Sequence, residues 1–114
     1  MPQVRPLKLM RRYADMIASG TKTVEVRLSS RYTRAIVVGD VVTFDVGKSK
    51  LTAAVTEVRE FARLSDMLDV IGPNMLGFSS RDEAAETYRR IYPYNADDAR
   101  PWRTFTLADP AWLT

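Results

Sequence analysis

The chain has 114 residues, 46% of them hydrophobic and 27% charged, with a formal net charge of +3 at pH 7 and neither cysteine nor histidine. One α+β domain over residues 1–114 accounts for that length, and the composition is neither that of a disordered chain nor that of a membrane-spanning one. The missing side chains exclude disulfide frameworks, thiolate nucleophiles, Ser-His-Asp and Cys-His catalysis and imidazole metal sites, so any chemistry falls to Lys, Glu, Asp, Tyr, Ser or Thr.

Val4 to Met10 reads as a first strand, with Pro6 pointing to a sheet edge or a strand start. Residues 11–19 read as a short helix with Tyr13, Met16 and Ile17 on one face, and Gly20 is its C-terminal stop. Thr21 to Leu28 follows as a strand in which Val24 and Val26 alternate with Thr23, Glu25 and Arg27. Period-two geometry sends the valines to one face, expected inside, and the polar trio to the other, expected to line a concave surface. Ser29 to Arg34 is an Arg-rich loop, Gly39-Asp40 a turn, and Val42, Phe44 and Val46 alternate on the next strand. A turn over residues 47–50 leads to a strand over Leu51 to Phe61, whose alternation slips near Glu57 as a bulge makes it do, and the two strands form a hairpin.

Two helices come next. Ser65 is expected to cap a helix over Asp66 to Ile71 that Gly72-Pro73 ends, and Ser80-Arg81-Asp82-Glu83 reads as a capping box. Behind that box Ala84, Tyr88, Ile91 and Tyr92 make an apolar stripe that stops before Pro93 and reads chiefly as core. Residues 93–101 form a polar loop, and Trp102 to Leu107 is the last strand. Strands at both chain ends with helices before the last one suggest a small antiparallel or mixed barrel closed by its terminal strands and flanked by helices.

No apolar run approaches the ~20 residues of a membrane span, and the first residues lack the apolar centre of a secretory signal, so a cytoplasmic location without membrane contact is expected. Arginine supplies most of the positive charge. Its planar fork suits phosphates and stacks on bases, which makes RNA or a nucleotide the partner to weigh against an ordinary solvated basic surface. Asp66, Asp69, Asp97 and Asp98 lack a ligand-loop pattern and read as helix-end and turn residues, so neither a metal nor another cofactor is expected.

Gly20, Lys22, Glu25 and Arg27 stand at the spacing G-x-K-x-x-E-x-R. That spacing resembles the signature of the ASCH domain family. The likeness extends to Ile-Ala-Ser-Gly at the end of the first helix, Val-Gly-Asp before an apolar strand, SDMLDVIG, and a helix ending in Ile-Tyr-Pro. The resemblance implies a PUA-like β-barrel with a cleft into which the motif side chains project, and as ligand RNA or a nucleoside or nucleotide. It implies a ligand-binding set of Gly20, Thr23, Arg27, Arg31 and Tyr92. Some small members of the family hydrolyse N4-acylated cytidine, which implies Lys22 as base. In those members a threonine stands three positions after the lysine as nucleophile, and here that position is Glu25, leaving a Glu25-activated water as the route to turnover. A hydrolase of acylated nucleosides or single-stranded RNA, and a protein-interaction adaptor, are the alternatives to a binding module.

Overall fold

The computed structural model describes residues 3–113. Strands β1 (Val4–Lys8), β2 (Val24–Leu28), β3 (Val41–Val46), β4 (Ser49–Phe61) and β5 (Trp102–Leu113) form one mixed sheet in the order β1-β3-β4-β5-β2. β1 runs parallel to β3, every other neighbouring pair is antiparallel, and the sheet curls into a half-barrel of the PUA-like α+β type. The terminal strands do not close it. β5 lies between β4 and β2, and the two edges are β1, where Pro6 sits, and β2.

Helix α1 (Arg11–Ser19) begins at Met10, which caps it, so β1 stops at Lys8, short of the expected Met10. α1 ends on Gly20, whose φ of 82° is the left-handed conformation that glycine adopts without a Cβ penalty. The Arg-rich loop contains a one-turn helix α2 (Arg31–Arg34), held by reciprocal bonds between Ser30 and Thr33. β4 carries register shifts at Thr52/Ala54 and Val55/Glu57, the second where the alternation slips in the sequence. β5 is twice as long as expected and follows β4 out to Leu113.

Helices α3 (Leu64–Val70), α4 (Pro73–Leu76) and α5 (Arg81–Ile91) come between β4 and β5. Ser65 lies inside α3 and does not cap it; the Leu64 N–H donates instead to Oδ1 of Asp98, 34 residues away, at 3.0 Å. Pro73 stops α3 and also starts α4, a position where its missing N–H costs nothing. Ser80 caps α5 by accepting from the Glu83 N–H.

Two apolar cores result. Inside the curl, Leu7, Phe44, Leu51, Val55, Phe105 and Leu107 pack with Ala14 and Ile17 of α1. On the other side, Val24, Val26, Leu28 and Trp102 pack with Leu64, Met67, Leu76, Phe78 and Tyr88 of the helical layer. Val24 and Val26 are therefore buried under α3–α5, and not in the barrel interior as the alternation suggests. Glu25 lies opposite Phe105 in the ladder, so it is the polar face of β2 that turns toward the inside of the curl.

Candidate functional site

The site lies where the curl remains open, between the edge strands β1 and β2. Leu107 N–H donates to the Thr23 carbonyl and Ser29 N–H to the Pro101 carbonyl, both at 2.8 Å. These bonds set the phase of the ladder, so Val24, Val26 and Leu28 turn their backbone groups away from β5 and toward the free edge. Side chains satisfy most of that edge. Lys22 Nζ donates to the Val24 carbonyl at 2.8 Å, and Thr33 Oγ1 donates to the Leu28 carbonyl at 3.0 Å. The facing edge of β1 is covered in the same way, Tyr32 Oη donating to the Pro6 carbonyl at 2.6 Å and Arg27 Nη2 to the Lys8 carbonyl at 2.7 Å.

Behind this edge lies a buried charge cluster. Glu25, 6% exposed, accepts from Nε and Nη2 of Arg27 at 3.0 and 2.7 Å through Oε2, and its Oε1 stands 3.4 Å from Lys22 Nζ. Lys22, 3% exposed, also donates to the Leu76 carbonyl at 3.1 Å, so the C-terminal end of α4 helps to hold it. Gly77 makes that approach possible, because a Cβ there would come within 3.3 Å of Lys22 Cβ. Burial alone would raise the Glu25 pKa, but the Arg27 and Lys22 charges outweigh it and hold the carboxyl below its ordinary range. Arg27 is pushed upward because Glu25 outweighs the cost of its burial. Burial lowers the Lys22 pKa against the pull of Glu25. A carboxylate held this far ionised is a weak base, and that works against water activation by Glu25.

A cleft of about 160 Å³ opens in front of the cluster, well above the ~10–15 Å³ that one water needs. Lys22, Glu25, Val26 and Arg27 form its floor, Tyr13, Phe78, Tyr88 and Tyr92 its aromatic walls, and Lys8, Met10 and Ile91 part of its rim. Phe78 meets Tyr88 edge to face at 5.6 Å, and Tyr92 meets Trp102 edge to face at 5.7 Å, so the walls are braced from behind. Burial, reinforced by the nearby Glu25 charge, pushes the Tyr88 phenol well above its ordinary value, and its hydroxyl has no hydrogen-bond partner among the described residues. Burial also raises Tyr92, against the pull of Arg27.

The structure brings Lys22, Glu25, Arg27 and Tyr92 together. It leaves three of the expected residues outside the cleft: Gly20 is the cap of α1, Thr23 is exposed beside it, and Arg31 is exposed on α2. Tyr13, Phe78 and Tyr88 join the wall. Tyr13 and Tyr88 sit on helical stripes that read as core, and Phe78 lies in a segment with no periodic signal. Among the described residues no group of three or more Asp and Glu side chains is placed to hold a metal ion, and no helix is long and apolar enough to cross a membrane.

The family model of the ASCH domain matches residues 7–104. The fold is similar to the crystal structure of a hypothetical protein, at 25% identity and a TM-score of 0.81, over 96% of this chain and 100% of that one. It is similar also to a Pyrococcus furiosus protein solved in solution by NMR, at 25% identity and a TM-score of 0.70, over 92% of this chain and 96% of that one. The crystal structure of ASCH from Zymomonas mobilis shares the fold at 17% identity and a TM-score of 0.70, over 94% of this chain and 68% of that one. No curated protein matches the chain.

Proposed function

The chain belongs to the ASCH domain family, and from that premise we propose that it binds a nucleoside-type base, free or at the end or loop of an RNA, in the cleft between β1 and β2. The observation that carries this reading is the composition of the cleft: four aromatic side chains around a buried Lys22–Glu25–Arg27 cluster in a space of about 160 Å³. Aromatic walls stack on the faces of a planar ring, and fixed polar groups at the floor select its edge. Ligand sites for drug-sized molecules run to about 300–1,000 Å³, so a space of this size suits one ring.

The interior cations are already engaged. Arg27 is shared between Glu25 and the Lys8 carbonyl, and Lys22 between Glu25 and two carbonyls. A phosphate would therefore remain at the rim, where Lys8 is exposed and the Arg12 guanidinium lies 5.7 Å from the centre of the Tyr13 ring. Turnover is the second reading, and it rests on Lys22, whose burial lowers its pKa toward the range of a base.

Calorimetric titration with nucleosides, nucleoside 5′-monophosphates and short RNAs at two salt concentrations, followed by chromatography of the incubated ligand, tests both readings. Binding without product is expected, with salt dependence confined to the ligands that carry phosphate. Absence of binding by every ligand overturns the proposal, and release of product transfers the site to the hydrolase reading.

A further inference from the structure

Three cationic side chains and one carboxylate line the cleft: Lys8, Lys22 and Arg27 against Glu25. Glu25 is fully used. It accepts from Nε and Nη2 of Arg27 and from the Val26 N–H, and Lys22 Nζ stands 3.4 Å from its Oε1. Around Lys22 Nζ lie three acceptors, the Val24 and Leu76 carbonyls and that same Oε1, which match the three N–H donors of an ammonium and exceed the two of a neutral amine. The cluster therefore sets two cations against one anion. Buried charges are ordinarily paired, yet one positive charge here has no counterpart among the described residues. Arg27 Nη1 is the nitrogen left over: Nε and Nη2 are engaged with Glu25 and the Lys8 carbonyl, whereas Nη1 has no hydrogen-bond partner among the described residues and is not closed off from the cleft. The other polar side chains lining the cleft, the Lys8 ammonium and the phenols of Tyr13, Tyr88 and Tyr92, can all donate.

We propose that the cleft takes a planar ring with a negative charge on its edge, a ring carboxylate or an ionised ring imide, whose anionic atom meets Arg27 Nη1. This rests on the base-binding reading of the cleft and narrows it from any base to an acidic one. The aromatic walls stack on the ring faces, and the charge on the ring completes the neutralisation of the Lys22–Glu25–Arg27 cluster. A phosphate is tetrahedral and stays at the rim near Lys8, whereas a charged ring edge is flat and passes between the walls. Tyr88 does not oppose the anion, because burial and the Glu25 charge keep it a phenol, a donor without a partner among the described residues.

The full chain is titrated calorimetrically at about pH 8 with two pairs of near-isosteric ligands that differ in charge: 6-azauridine, whose ring imide is ionised there, beside uridine, and orotate beside orotamide. In at least one pair the anion is expected to bind about 10- to 100-fold more tightly than its neutral partner, the range of a hydrogen bond to a charged group, and to raise the Tm of the protein more at equal concentration. The pair that shows the difference tells an ionised ring from a ring carboxylate. Two variants locate the charge: Lys22→Met should bring the ratio of the two affinities toward one, and Glu25→Gln, which leaves both cations uncompensated, should raise it in the folded fraction. Binding with equal affinities within both pairs overturns the inference and leaves the base-binding reading intact. A ratio that neither variant changes also overturns it, since the preference then does not come from the cluster. No binding by any of the four ligands overturns both readings.

Discussion

Arg27 Nη2 lies 2.7 Å from the carbonyl oxygen of Lys8, and this contact joins the two edges of the sheet where no backbone ladder does. The same nitrogen also lies 2.7 Å from Glu25 Oε2, so one guanidinium both closes the curl and neutralises its buried carboxylate. Arg27→Ala is expected to cost about 3–5 kcal/mol, the cost of removing one partner from a buried ion pair. Arg27→Lys keeps the charge and loses the fork that reaches two acceptors, and should recover only part of that loss. Urea unfolding of the two variants beside the parent measures this; a lysine variant as stable as the parent would show that charge alone matters.

Glu25→Gln preserves the shape of the side chain and removes the charge that two buried cations share. A loss of about 3–5 kcal/mol is expected, seen as a markedly earlier thermal melt, because Lys22 and Arg27 are then buried without their counter-charge. If the cleft is a binding site, nucleoside affinity of the folded fraction should also fall. Large destabilisation with unchanged binding by that fraction would make the cluster a structural clamp and nothing more.

Two carboxylates give the protein an acid limit. Amides lower the Asp40 pKa, chiefly that of Val37, which donates to Oδ2 at 3.1 Å, and Glu25 is lowered by its cations against burial. Both bind protons less readily folded than unfolded, so the stability they contribute is complete above their ordinary values of 3.8 and 4.5 and is lost as pH falls below these and through their lowered folded values. The unfolding free energy should therefore drop with acidification below about pH 4.5. Asp40→Asn should flatten that slope, and an unchanged slope in this variant would remove Asp40 from the account.

Gly77 and Gly20 both adopt positive φ, 88° and 82°, but only Gly77 is crowded. At Gly20 a Cβ meets nothing within 4 Å, so Gly20→Ala should cost about 1–2 kcal/mol of backbone strain. At Gly77 the Met16 methyl would be 2.6 Å away and Lys22 Cβ 3.3 Å away; the methyl can swing aside, whereas Lys22 is tethered at its far end to two carbonyls. Gly77→Ala should cost roughly a further 1 kcal/mol from overpacking and should perturb the cleft. Equal losses in the two variants, read from chemical denaturation, would show that Lys22 yields.

The sequence by itself determined the α+β class, the family, most element positions and the residues of the charged cluster. The G-x-K-x-x-E-x-R spacing is legible because its roles are local: Gly20 ends a helix, Lys22 reaches back to the Val24 carbonyl two residues on, and Glu25 and Arg27 are neighbours on one strand face. What the alternation of β2 could not decide is which face lies where. A period of two separates Val24 and Val26 from Glu25 and Arg27, and an edge strand buried on both sides gives each set a different core. Only the tertiary structure placed the valines under α3–α5, turned the carboxylate inward against Arg27 and Lys22, and brought Tyr13, Phe78 and Tyr88 to one wall. The same holds for Asp98 at the start of α3 and Leu76 at Lys22, contacts made across 34 and 54 residues. Such partners are main-chain groups or ordinary turn residues with no pattern of their own, and they become visible only when the chain has folded back on itself.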